Sequence, residues 1–160
     1  MNAGILPMLL ISATVGLLLS LTTRRNAWFG FAAIAASGLT VSLFALPPHL
    51  STPIFIGAWL SVIVTAIITY LPPRLPERWA IPLSINAGVW VGALSSLSGR
   101  KLDLLLAVPV VLIFIPGQWI VARGLGLGIK VVASWMIAIA TLSIFVSMIP
   151  TPGYAPDHMQ

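Results

Sequence analysis

Five side chains in this sequence could exchange a proton or hold a metal near neutral pH: Glu77, Asp103, Asp157, His49 and His158. None lies inside an apolar block. No Ser/His/Asp set, HExxH motif or pair of intramembrane carboxylates can be assembled from them. A metal site would have to gather His49, Asp157 and His158 from a connector and the tail, and no ligand spacing favours that. Cysteine is absent, which removes disulfides, thiolate metal sites and thiol nucleophiles. The stretch RGLGLGIK (123–130) is no phosphate loop, because no GxxxxGK[ST] is present and no strand precedes it. It reads as a flexible connector. Asp103 is expected to pair with Arg100 and Lys101 or to cap the helix it begins. The expectation is a non-enzyme with no cofactor and no metal.

The remaining candidates are uncharged and sit within apolar blocks. In LLLAVPVVLIFIPGQWIVA (104–122), Pro109 and Pro116 each remove a backbone donor and kink or break a helix. Gly117 and Gln118 follow directly. Discontinuous membrane helices point to binding sites in transporters, although a plain proline kink is the commoner case. Asn86, Thr65 and Ser134 fall at a similar depth to Gln118. Amides in hydrocarbon are costly unless bonded, so Asn86 and Gln118 are expected to face inward, as helix–helix glue or as the lining for a neutral solute. Pro109, Pro116, Gly117, Gln118, Asn86 and Thr65 form the candidate substrate-binding set. With no charge at depth, proton relay is not expected.

Composition dictates what must position these residues. The chain is 59% hydrophobic and 7% charged, against about 25% charged in soluble domains. Its charge-free blocks, 4–21, 27–46, 53–71, 79–97, 104–122 and 131–149, approach the roughly 20 residues that cross a bilayer as a helix. The fold class expected is an all-α integral membrane protein with six transmembrane helices. Residues 1–150 make one membrane domain and 151–160 a short mobile tail. No Lys or Arg precedes the first block, so it reads as a retained span rather than a signal peptide. Arg24, Arg25, Arg74, Arg78, Arg123 and Lys130 fall on one side, Arg100 and Lys101 on the other. That bias places the first side in the cytoplasm and both termini outside, in a bacterial inner membrane. Trp28, Trp79, Trp119 and Tyr70 gather near the same face, as an interfacial belt does. The net charge of +5 sits in connectors and carries no nucleic-acid signal.

One phrase occurs twice. VGLLLSLTTRR (15–25) and VGALSSLSGRK (91–101), 76 residues apart, share six of eleven positions. At the same offset Ile5 meets Ile81, Trp59 meets Trp135, Ile63 meets Ile139, Thr65 meets Thr141 and Ile68 meets Ile144. The second and fifth blocks share nothing. Two readings stand: chance matching of Leu-rich segments, or half-repeats 4–73 and 79–149. Three spans separate equivalent positions, an odd number, so the halves would enter the bilayer from opposite sides as a 3+3 inverted-topology repeat. Within it, Ser12, Gly16 and Ser20 on the first span, and Gly88, Gly92 and Ser96 on the fourth, form small-residue ladders for close helix packing. The two ladders are expected to face each other across a pseudo-twofold axis.

Two functions fit. One is a transporter or channel-like protein for a neutral or weakly polar small solute. The alternative is a non-catalytic accessory or assembly subunit of a larger membrane complex. Its surroundings are the lipid bilayer and further protein, either a homo-oligomer or that larger complex, with no nucleic acid.

Overall fold

An apolar run surrounded by hydrocarbon has no hydrogen-bond partner but its own backbone, and each such run in this chain is a helix. The computed structural model describes residues 5–72, 74–99 and 101–148. The tail 151–160, with Asp157 and His158, lies outside the described residues, as does Arg100. The helices are α1 (Ile5–Ser20), α2 (Arg24–Ser42), α3 (Ser51–Ile68), α4 (Arg74–Ser98), α5 (Lys101–Val110), α6 (Phe114–Ala122) and α7 (Gly126–Met148). A 3-10 turn over Val111–Ile113 joins α5 to α6, and another, Pro48–Leu50, precedes α3. There is no strand among the described residues.

Local chemistry sets the ends. Gly99 and Gly124 adopt positive φ of 66° and 80°, where a side chain would be strained. At the second, Gly124 N–H donates to Val121 at 2.9 Å and Leu125 N–H to Ile120 at 3.2 Å, closing α6 with a Schellman pattern. Two expected boundaries move. The connector expected over 123–130 shortens, because α7 already begins at Gly126. The block read to residue 46 ends as helix at Ser42, where 3-10 bonds from Leu43 to Thr40 and from Phe44 to Val41 tighten its last turn. Pro47 and Pro48 then disfavour any helical restart upstream of them.

With α5, its turn and α6 taken as one rod, six rods run alternately up and down. Contacts between their ends show this. At one end Asn26 donates to Glu77 at 3.1 Å, Gln118 reaches the carbonyls of Leu19 and Thr22, and the Tyr70 hydroxyl reaches the Lys130 carbonyl. At the other, Ser96 holds the Phe44 carbonyl and Ser98 donates to Asp103 at 3.2 Å. The Ser98 hydroxyl is thus the partner Asp103 finds among the described residues. Arg24, Arg25, Arg78, Arg123 and Lys130 share the first, basic end with Trp28, Trp79, Trp119 and Tyr70.

The core runs along α1. Met8, Ile11, Val15, Leu18 and Leu19 are almost wholly buried, and polar Ser12 and Thr14 are buried with them. A helix apolar all round is one that its neighbours enclose. Trp59, Val62, Val91, Val111 and Phe114 close around it from α3, α4 and the α5–α6 rod. By contrast α7 buries only Ile129, Ala133 and Ala140, and leans on α3.

Four helices are long and apolar enough to cross a membrane: Ser51–Ile68, Pro76–Ser98, Asp103–Ala122 and Gly126–Met148. This is a membrane-class helical protein. The other two rods fall short of that measure. The 16 described residues of α1 reach about 24 Å at 1.5 Å each, and α2 opens on Arg24, Arg25 and Asn26 before a run rich in Ala, Gly and Ser.

Candidate functional site

Proline 109 cannot donate to the Leu105 carbonyl, nor Pro116 to that of Leu112, so the α5–α6 rod loses two rungs within one helical stretch. The chain responds by tightening. Over Val111–Ile113 it winds as a 3-10 turn, with Phe114 N–H turning to the Val111 carbonyl. The interruption is a change of winding, with no gap in the rod. Both prolines point outward, while Val111, Phe114 and Gly117 are buried.

The interruption lies against the small face of α1. A Cβ added to Gly16 would stand 2.8 Å from the Val111 carbonyl oxygen and would collide with the Ile113 side chain. Ser20 is packed directly onto Gly117, and its hydroxyl donates back to the Gly16 carbonyl at 2.9 Å. Gln118 donates to the carbonyls of Leu19 at 3.4 Å and Thr22 at 3.2 Å, which α1 leaves free at its C-terminal end. Residues 16–22 and 111–118 thus run side by side in the same direction.

The second ladder makes a comparable seam with α2. Gly88 lies against Ile34 and the Ser37 side chain, and Gly92 lies under the Gly38 carbonyl with Val41 beside it. Ser96 donates to the Phe44 carbonyl and accepts the Leu46 N–H at 3.4 Å, pinning the connector that follows α2. The expectation that the two ladders face each other is therefore corrected. Helices α1 and α4 do touch, but the α1 ladder faces the α5–α6 rod and the α4 ladder faces α2. The reason is steric: a small-residue face takes the partner whose backbone can come closest. Gly38 and the tightened turn at Val111 offer such backbone.

The polar candidates divide. Asn86 is exposed on α4; its amide donates to the Ser61 hydroxyl at 2.7 Å and its carbonyl accepts the Trp90 indole N–H at 3.2 Å. The expectation that Asn86 faces inward is corrected, since it bridges α3 and α4 at their outer edge. The Trp90 ring covers Gly57. Sequence reasoning missed Ser61, Gly57 and Trp90; the i,i+4 spacing of Asn86 and Trp90 was the available signal. Thr65 is buried on α3, and its hydroxyl has no partner. The side chains of Ser12, Ser84 and Trp59 are buried and unpaired in the same way. Ser134 faces outward and bonds its own helix at Val131, 2.7 Å away. The structure does not bring Asn86, Thr65 and Gln118 to one place.

Two clefts flank α6. An apolar one of about 290 Å³ is lined by Leu17, Ile113, Pro116, Gly117, Ile120 and Ile129, between α1, α6 and α7. A mixed one of about 310 Å³ is lined by Arg24, Trp28, Phe114, Ile115, Gln118 and Trp119 at the basic end. Among the described residues no three His, Asp or Glu side chains could share a metal. No protein-family model, curated protein or solved structure matches this chain.

Proposed function

We propose that the chain is a small polytopic membrane transporter or channel-like protein for a neutral or weakly polar solute. The carrying observation is the interrupted α5–α6 rod, whose Pro116 and Gly117 line the apolar cleft shared with α1 and α7. Interrupted helices at an interface between half-repeats are where secondary transporters place their sites. The lining carries no charge, which suits an uncharged solute. No catalytic step is assigned to it.

The same reading takes six spans, with the two shorter rods inside the bilayer, arranged as a 3+3 inverted-topology repeat. Two matching seams support the repeat. Gly16 and Gly92, identical at the offset of 76, each receive a backbone carbonyl from the second helix of the other half, and each seam runs parallel. The basic end faces the cytoplasm of a bacterial inner membrane, with both termini outside, in keeping with the bias of Arg and Lys toward the inner side. A homo-oligomer supplies the width that six helices lack.

Reconstitution tests the reading. Proteoliposomes holding the purified chain should pass glycerol or urea faster than protein-free vesicles in an osmotic swelling assay, and Ile120→Trp, whose larger side chain fills the cleft from its wall, should abolish the difference. Swelling equal to that of empty vesicles for both solutes would count against transport.

The alternative, an accessory subunit of a larger complex, draws on α7. Trp135, Leu142 and Phe145 are each more than 60% exposed on that helix. Stoichiometric recovery with a second protein in mild detergent would favour it.

A further inference from the structure

We propose that the mixed cleft at the basic end is a binding site for the phosphate headgroup of an anionic phospholipid. This is independent of any solute path, since it lies on the face of α6 away from the apolar cleft. The walls of the cleft have two characters. Phe114 and Ile115 supply apolar surface on the membrane side, and Phe114 is held edge-on by Trp28 with ring centroids 5.3 Å apart. At the connector side stand Arg24, Gln118 and Trp119. An apolar floor that grades into a cationic rim fits an amphiphile lying along the helix, chain down and headgroup at the rim.

The rim is free to bind. Arg24 forms no ion pair among the described residues. Glu77, the acidic residue at this end, is occupied by Asn26. The Gln118 amide N–H groups are committed to the Leu19 and Thr22 carbonyls, so Gln118 contributes wall and no donor. The indole N–H groups of Trp28 and Trp119, which line the cleft, have no protein acceptor among the described residues, and both can donate to phosphate oxygens. Arg123 lies over the Trp119 ring, 3.5 Å from its centroid, and places a second cation beside the cleft. Arg24, the nearby Arg123 and the two indole N–H donors complement the oxygens of a phosphate diester, and no carboxylate lines the cleft to hold the quaternary ammonium of phosphatidylcholine. Basic groups at the headgroup level of an anionic leaflet attract such lipids.

The test uses the full chain in detergent. Phosphatidylglycerol in mixed micelles should raise the Tm well beyond the rise given by phosphatidylcholine, and inorganic phosphate at equal concentration should leave it unchanged. Arg24→Gln should weaken the apparent affinity for phosphatidylglycerol about fivefold, the worth of one basic residue at an anionic surface. Arg78→Gln, at the same end but outside the cleft, should not. Where Arg24→Gln cannot be purified, native mass spectrometry of the unaltered chain should retain one phosphatidylglycerol through a phosphatidylcholine wash. Equal stabilisation by phosphatidylcholine would overturn the proposal. So would equal stabilisation by free phosphate, equal losses in the two variants, or loss of all bound phosphatidylglycerol in the wash.

Discussion

The carbonyl oxygen of Val111 stands 2.8 Å from the point a Cβ on Gly16 would occupy. The helix of Val111 is wound more tightly there than on either side, and the glycine is what admits it. Gly92 holds the same relation to Gly38 in the other seam.

Adding one methyl group tests both seams. Gly16→Ala and Gly92→Ala should each destabilise the protein by about 1–3 kcal/mol through overpacking against backbone that cannot move aside. Gly128→Ala, on α7 with open space around its Cα, should instead stabilise by about 0.5–1 kcal/mol through reduced backbone freedom. Thermal unfolding in one detergent compares all three. Equal behaviour of Gly16→Ala and Gly128→Ala would remove the case for close approach at Val111.

Cross-linking separates the observed pairing from a direct meeting of the ladders. The chain has no cysteine, so a pair can be placed without background. Gly16→Cys with Ile113→Cys should form an intramolecular disulfide on mild oxidation, because the Ile113 side chain overlies the Gly16 Cβ position. Gly16→Cys with Gly92→Cys should give no intramolecular product. The reverse outcome on gel mobility would restore the face-to-face arrangement.

Thr65 carries a buried hydroxyl with no partner, a state that costs about 1–3 kcal/mol. Thr65→Val keeps the shape and removes the hydroxyl. It should leave the Tm unchanged or raise it, with solute flux unaffected. A fall in flux at unchanged Tm would place Thr65 on the solute path.

Gln118 ties α6 to the end of α1. Gln118→Leu should lower stability by about 1 kcal/mol, the worth of the bonds to Leu19 and Thr22, while flux through intact protein persists. Loss of flux with no loss of stability would make the amide a solute contact.

Orientation can be read on the connectors. Leu43→Cys and Leu125→Cys sit at opposite ends of the bundle and both are exposed. An impermeant maleimide added to whole cells should label the first and spare the second. Labelling of Leu125→Cys alone would invert the topology.

Much of the helical layout was legible because charge-free blocks and Gly or Pro stops are local properties. The winding change near Pro109 and Pro116 could be anticipated for the same reason, since a missing donor disrupts its own helix. Partner choice could not. Gly16 and Gly92 announce that something comes close, but what comes is decided by the backbone of a helix about 50 to 95 residues away. Asn86 was misplaced because a polar residue on an apolar helix was taken to require the interior. Ser61 and Trp90 satisfy it at the edge instead. Ser96 looked like a ladder rung and proved to be a clasp on the Phe44–Leu46 connector, a bond that no periodicity reveals.

The two seams also bear on how the chain is made. Helix α1 is synthesised early, yet the surface that covers Gly16 and Ser20 arrives only with Val111 to Gly117. Until then the ladder of α1 has no permanent cover. A nascent or truncated chain therefore displays a close-packing face to whatever helix is nearby, including the same rod of a neighbouring chain. Interlaced halves of this kind can exchange between molecules with each seam preserved, so at high expression the same contacts that close the monomer can join two chains.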